Sequence, residues 1–516
     1  MTLFLSPSAW IVLAICLVFL LLISKIKTSL AQSLPPGPNP VPLLGNLSKP
    51  KDYRASFKHW ADQYGNMMTL KMMGVPLLVL NNRQAASDLL RKRAASTWGR
   101  PNTVMAHQLS GLDTEVAFTR NFHLHKDFRR FFSIALSPRL VEGCGAHQIQ
   151  QMRQVTSEIL ASPDNYLNSI NRAVSAIALR IAYGYEVQGK DDPLLAQVNK
   201  AADLVEQILL PGFFLVDVLP ILRYLPEWLP GTGFLRLAKQ YKGEYEDIRE
   251  RSFRMTEKDI AKGTAKSSFV ATLLEDLKSD KTISKEHIMW GAMSFHTAGS
   301  GTTVTAIHNL LAALVLFPHT QAAAQMELDL VIGRSRPPRM DDRESLPYCS
   351  AMVDETLRWQ PVAPFALLHK SDREESFEGW TLPEGSLLMA NVWAMSRDER
   401  DYPSAETFMP ERYLPSTAST PIAWNASRGS AIPLGAVGFG FGRRSCPGKQ
   451  LAEATLFAAV VTMLWTLKFK LAEGEKVVWL EESTVNQPNE FRIRATERFK
   501  GAEKILRSSL KKSDSC

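Results

Sequence analysis

The chain has 516 residues, 45% apolar and 22% charged, the proportions of a globular protein with a sizeable core. Disordered, collagen-like and low-complexity chains are excluded. Lysine and arginine (60) outnumber aspartate and glutamate (52), a net +8 without dense basic runs, which suits an acidic protein partner or an anionic membrane surface rather than nucleic acid.

Leu3 to Ile23 carries no charge, and Trp10 to Ile23 is apolar without a break. As a helix these residues span roughly 30 Å, the thickness of a bilayer's hydrocarbon core. Lys25 and Lys27 follow at once, which keeps the rest of the chain on the cytosolic side. A cleaved signal peptide needs a basic start and a shorter apolar stretch, so an anchor is the better reading. Residues 1–34 are therefore expected to be an anchor with its flank, and residues 35–516 a cytosolic body. Leu34-Pro35-Pro36-Gly37-Pro38-Asn39-Pro40 reads as a stiff spacer between the two.

Met67 to Leu80 alternates around Gly74-Val75-Pro76, predicting a hairpin, with a helix following near Arg83 to Arg91. Residues 147–210 and 235–280 read mainly as helices. Leu209 to Leu229 is very apolar and carries Pro211, Pro220 and Pro226, which fits either buried helix ends or a collar dipping into a membrane. Leu506 to Cys516 is short and polar and is expected to fray. The whole reads as mainly α with a smaller β part.

Residues 287–326 contain no charged side chain. A lipid-facing helix would reject the stripe of His296, Ser300, Thr302, Thr303, His308 and Asn309, so a helix through a large protein core is expected. Its midpoint, Ala298-Gly299-Ser300-Gly301-Thr302-Thr303, is small. Glycine costs up to about 1 kcal/mol in a helix interior, so two in one turn suggest close helix packing or a groove for something bulky.

The five cysteines are odd in number and widely spaced, which argues for reduced thiols. One of them stands apart. Phe439-Gly440-Phe441-Gly442-Arg443-Arg444-Ser445-Cys446-Pro447-Gly448 precedes an apolar helical stretch, Leu451 to Leu467. The glycines permit a tight loop, and Pro447 suits a first helical turn. That places Cys446 at a helix N-terminus, where thiolate is favoured, beside two arginines that can reach carboxylates. A metal held by one soft thiolate fits this pattern, as in thiolate-ligated haem.

The segment resembles the cytochrome P-450 haem-binding signature, FxxGxRxCxG, at every defined position, and the resemblance runs from about Pro35 to Arg494. Glu355-Thr356-Leu357-Arg358 is similar to the family's ExxR helix, and Pro410-Glu411-Arg412-Tyr413 to the segment supplying a second arginine. Glu246 to Arg249 has the same spacing and reads as a solvated face. The resemblance implies a cytochrome P-450 fold behind a single transmembrane helix. It implies haem b, iron protoporphyrin IX, with Cys446 as axial ligand and Phe439 in the loop. Arg444, His369, His125 and Arg129 are then the partners of the haem carboxylates, His125 standing where the family usually has tryptophan. Glu355, Arg358 and Arg412 are implied to form a structural triad, and Thr302 to help protonate bound dioxygen. Gly301 departs from the acid usual before that threonine, so protons need another donor within reach.

What the resemblance implies is a haem-thiolate monooxygenase of the endoplasmic reticulum membrane. Electrons come from NADPH through a cytochrome P-450 reductase, with cytochrome b5 as a further partner, and Lys126, Arg130, Arg443 and Lys449 are docking candidates. Phe295, Ala298, Val362 and Phe365, all apolar, are pocket candidates beside the loop Val104 to Phe122, implying a lipophilic small molecule held by shape. The style is similar to fungal microsomal members such as the O-methylsterigmatocystin oxidoreductase group, which points to a terpenoid or polyketide intermediate of secondary metabolism. A haem-dependent isomerase or dehydratase, encouraged by Gly301, and a non-catalytic haem-binding scaffold remain open beside it. A cytosolic body predicts that Asn46-Leu47-Ser48 and Asn425-Ala426-Ser427 carry no glycan.

Overall fold

Prolines set several element starts: Pro318 opens the helix Pro318–Val331 and Pro347 opens Pro347–Trp359, each in the first turn, where a missing N–H costs little. The computed structural model describes residues 34–41, 45–46, 52–72, 74–136, 138–189, 191–209, 214–279, 284–414, 437–481 and 485–511. The expected anchor from Leu3 to Ile23, with Lys25 and Lys27, lies outside these residues, as do Pro211, Leu47, Ser48 and the Asn425 sequon. Helices dominate, with three small sheets among the described residues.

The chain divides into two units. One takes the chain as far as Pro101, with Phe365–Met395 and Phe441–Arg443. Its sheet contains the expected hairpin: Met67–Met72 pairs antiparallel with Val75–Leu80, turning at Gly74 with φ +84°. Leu387–Ala390 then adds in parallel, and His369–Lys370 antiparallel. Met68, Leu70, Leu77, Val79 and Met389 bury against Phe57, Trp60 and Phe365. The helix expected after the hairpin is present as Arg83–Ser87, capped by Asn82 and widened to a π-turn over Asp88–Lys92.

The second unit holds Asn102–Pro364, Ser396–Gly440 and the chain from Arg444 onwards. Long helices fill it: Pro138–Ala161, Tyr166–Tyr183, Pro193–Leu209, Gly233–Ala261 and Phe269–Ser279. The expected charge-free helix runs as Lys285–Gly299 and Gly301–Leu316, broken at Ser300, and stops at Phe317 because Pro318 starts the next helix. Lys285–Leu316 is long and apolar enough to cross a membrane, yet its most apolar window is 67% buried inside the protein. Its polar side chains explain why. His308 meets the Tyr166 hydroxyl at 2.9 Å and stacks on Phe491. The Asn309 amide donates to the carbonyls of Gln360 and Asn486 at 3.2 and 2.9 Å. These are protein partners that lipid cannot supply.

Two expectations need correction here. The chain end does not fray from Leu506: Ala502–Lys511 is a helix whose Ala502 and Leu506 are fully buried, an apolar stripe that composition alone concealed. The face from Glu246 to Arg249 is only partly solvated: both side chains are half-buried, and the Arg249 Nε is buried.

Candidate functional site

The cysteine loop is held by its own backbone. Gly440 takes φ +79° and its N–H donates to the Val437 carbonyl at 3.0 Å, while the Cys446 N–H donates back to Phe439 O at 2.7 Å. Gly442 sits at φ +56°, and a Cβ there would run into the Leu90 carbonyl. Only glycine meets both demands. The following helix is Lys449–Thr466 with Gly448 as N-cap, so Pro447 lies in the preceding turn rather than in the first helical turn expected. A positive helix end still faces the cysteine. Cys446 is exposed, although protein crowds it on most sides. That crowding pushes the thiol up, opposed by the Gly448 N–H and the Arg129 charge.

The basic residues named from the sequence divide between the units. In the second unit the Arg129 guanidinium donates to Ser445 O at 2.7 Å, beside the thiol. His125, one turn earlier on the helix Phe122–Ala135, is buried. Arg444 donates to the carbonyls of Val116 and Thr119 at 3.1 and 2.6 Å, tying the loop before that helix to the cysteine loop. Lys449 places its ammonium 5.9 Å from the Phe439 ring centroid. In the first unit the His369 Nδ1–H donates to Thr97 O at 2.7 Å, and Arg100 fixes the approach to that strand through Leu367 O and Leu368 O.

Glu355 and Arg358 lie three apart on one helix face, as the spacing demands. Arg358 donates from Nε and Nη2 to the Glu355 carboxylate at 2.7 and 2.8 Å, and Arg412 Nε adds a third bond at 3.1 Å. The Met409 N–H contributes another at 2.8 Å. Two buried guanidiniums face one carboxylate. The remaining donors reach the carbonyls of Ser396, Pro403, Ala405 and Thr407. The cluster therefore fastens residues 396–412 to the ExxR helix.

The small-residue turn forms an open patch on an otherwise buried helix: Ala298, Gly301 and Thr302 are exposed. Three hydroxyls bond back one turn, Thr297 to Met293 O, Ser300 to His296 O and Thr302 to Ala298 O, at 3.0, 3.2 and 2.8 Å. Such back-bonding bends helices, and here the helix breaks at Ser300. A Cβ at Gly299 or Gly301 would meet nothing within 4 Å. Close helix packing is thus not the reason for these glycines; an open groove is.

The pocket candidates are scattered. Ala298 is open, whereas Phe295 is buried among Phe132 and Phe269, with centroids 6.2 and 6.4 Å away, a core position rather than a lining one. Val362 is half-buried and its carbonyl accepts from the Asn486 N–H. Phe365 packs on Tyr53 and Phe57 in the first unit. Sequence reasoning missed Glu115. Its carboxyl is buried, bonded to the Ser294 hydroxyl and close to Arg249. Burial pushes it up to about 7, against those two partners. Asp113 and Glu115, two acids in the loop Val104 to Phe122 that was expected to line the pocket, were the available signal.

One soft thiol, an uncharged helix groove and flanking arginines suit a haem with carboxylate tails. Among the described residues no group of three histidines, cysteines or carboxylates could hold a bare ion instead. The cytochrome P450 family model matches residues 35–495. The chain is 31% identical to cytochrome P450 monooxygenase 208 of Postia placenta, over 96% of each chain. It is 32% identical to cytochrome P450 monooxygenase ple1 of Rhodocybe pseudopiperita, over 92% of this chain and 91% of the relative. The multifunctional cytochrome P450 monooxygenase af510 of Aspergillus fumigatus is 31% identical over 93% and 91%. The chain therefore belongs to the cytochrome P450 family, whose cofactor is haem, and is a monooxygenase.

Proposed function

We propose that the chain is a haem-thiolate monooxygenase, anchored in the endoplasmic reticulum membrane by residues 1–34, with residues 35–516 as its cytosolic catalytic domain. It inserts one oxygen atom from dioxygen into a lipophilic small molecule, a terpenoid or polyketide intermediate. The observation that carries this reading is the exposed Cys446 thiol on a loop fixed at Phe439 and flanked by Arg129.

Cys446 would hold the haem iron, and Arg444, Arg129, His125 and His369 its carboxylates, with Phe439 packed beside the thiol. When bound, a thiolate-ligated haem supplies the electron density that favours O–O cleavage. The chain's own residues do the rest. Thr302 Oγ1 holds a proton now shared with Ala298 O and can turn it into the open groove. The space at Gly301 admits water to replace the missing acid. Glu355, Arg358 and Arg412 do no chemistry and hold the segment that leads to the loop.

Electrons arrive from NADPH through a reductase, with cytochrome b5 as a second donor. Exposed Lys126 and Arg130, one turn apart on the helix Phe122–Ala135, offer basic charge to an acidic partner, as do Arg443 and Lys449 in their own units. Membrane association is supported by the apolar stretch after Leu209: Leu215, Ile221, Tyr224 and Trp228 are 61–77% exposed, a collar no core would leave uncovered. Product formation from a terpenoid and polyketide panel, strictly dependent on NADPH and dioxygen, tests the proposal. Turnover without either would replace it with a haem-dependent isomerase or dehydratase.

A further inference from the structure

Pro361 and Pro364 remove two backbone donors from the chain just after the ExxR helix, and residues 360–364 join no helix or strand. Three amide side chains hold this segment instead. The Asn309 amide, on the central helix Gly301–Leu316, donates to Gln360 O and Asn486 O at 3.2 and 2.9 Å. Its oxygen accepts from Trp479 Nε1 at 3.3 Å. The Asn486 amide donates to Gln360 Oε1 at 2.7 Å, and the Asn486 backbone N–H donates to Val362 O at 2.8 Å. Asn309 and Asn486 are fully buried and Gln360 is 6% exposed. The Trp479 ring meets the Trp359 ring edge-on at 5.2 Å, an apolar contact between the same two stretches of chain. Apolar side chains would fill such a core without the desolvation cost of amides, whereas a hydrogen-bonded network fixes one arrangement.

The place of Asn309 on the helix gives that fixed arrangement a use. Seven residues are close to two turns, so Asn309 lies on the same side as Thr302, roughly 10 Å further along. That side is open at Thr302 and fully buried at Asn309. What meets the helix there is Gln360 and Asn486, and Asn486 in turn holds Val362, which is half-buried. All of these residues belong to the second unit.

We infer that Asn309, Gln360 and Asn486 are positioning residues, which hold Val362 as the end wall of the groove beside Thr302 and so limit the length of substrate it admits. The inference rests on the haem-thiolate reading with a lipophilic substrate, and names what sets specificity at that site. An apolar substrate offers few groups for hydrogen bonding, so a wall of fixed position selects it by length.

The test uses the haem-loaded full chain and a series of N-alkylimidazoles from methyl to dodecyl, with Kd read from the shift of the haem absorption band. Each methylene that enters an apolar groove should tighten binding about fourfold until the chain meets the wall, where affinity levels off. Val362→Ala should move that plateau to longer chains. So should Gln360→Met, which removes the acceptor for Asn486 at similar size, and Asn309→Leu, a second break in the same clamp. Val362→Ala combined with either clamp variant should move the plateau no further than the larger single shift, because both act through one wall. Tyr166→Phe, which breaks the bond to His308 on the same central helix, should lower Tm and leave the plateau in place. A plateau unmoved by the clamp variants, shifts that add, or an equal shift in Tyr166→Phe would overturn the inference alone. So would a wild-type affinity that rises through dodecyl without levelling. Affinity independent of chain length throughout would overturn the lipophilic-substrate reading, and no spectral shift with any probe the haem reading, each taking this inference with it.

Discussion

Glu355→Gln keeps the shape of the carboxylate and removes its charge, leaving Arg358 and Arg412 buried without a counter-ion. The carboxylate now accepts bonds from Arg358 Nε and Nη2, Arg412 Nε and the Met409 N–H, and both its residue and Arg358 are fully buried. The replacement amide can still accept from one or two of these donors, yet it neutralises neither guanidinium. Breaking a buried pair in this way costs about 3–5 kcal/mol. A typical domain has only ~5–15 kcal/mol in hand, so the loss is a large part of the total. The expected result is a several-fold drop in haem recovered per polypeptide and faster proteolysis, with turnover per bound haem close to wild type. Glu250→Gln serves as control, because its pair with Arg254 is half to mostly exposed and worth about 0–1 kcal/mol. A Glu355→Gln protein with full haem content would refute the structural role. Full haem content with lost turnover would move the triad into the chemistry.

The Glu115 carboxyl, raised to about 7 from an ordinary 4.5 and faced by Arg249, Tyr183 and Tyr241, is protonated in the folded state over a range where the unfolded chain has lost that proton. Stability therefore falls as pH rises from about 4.5 to 7, by ~3 kcal/mol in all, and Glu115→Gln should remove that part of the slope; parallel denaturant curves for the two proteins at every pH would contradict this. Thr302→Ala should lower product per NADPH consumed, measured against peroxide released, and unchanged coupling would reduce Thr302 to helix packing. Trp228, 77% exposed, should be quenched by brominated lipid when the full chain sits in a bilayer, by comparison with Trp228→Phe; no difference between the two would remove the collar from the membrane.

Wherever local chemistry dictates geometry, the sequence was readable. The hairpin turning at Gly74, the three-residue spacing of Glu355 and Arg358, and the two glycines of the cysteine loop each follow from backbone or helix rules that need no tertiary context. The charge-free central helix was also readable, because His308 and Asn309 could only be satisfied inside protein. What depended on distant partners was not. Glu115 and Arg249 look like ordinary polar residues until the loop and the long helix are brought together, and Phe295 looks like a pocket residue until Phe132 and Phe269 close over it. The final helix was misread because its apolar stripe, with Leu506 fully buried, is diluted by lysines and serines in the linear sequence.

Haem ligation by Cys446 underlies every role proposed for the other residues. Its most direct test is the reduced, carbon-monoxide-bound difference spectrum of membranes from cells expressing the full chain, beside the same preparation of Cys446→Ala. A long-wavelength Soret band in wild type that is absent from the variant is the predicted result. A short-wavelength band from well-folded, haem-loaded wild-type protein, or an unchanged long-wavelength band in Cys446→Ala, would contradict it.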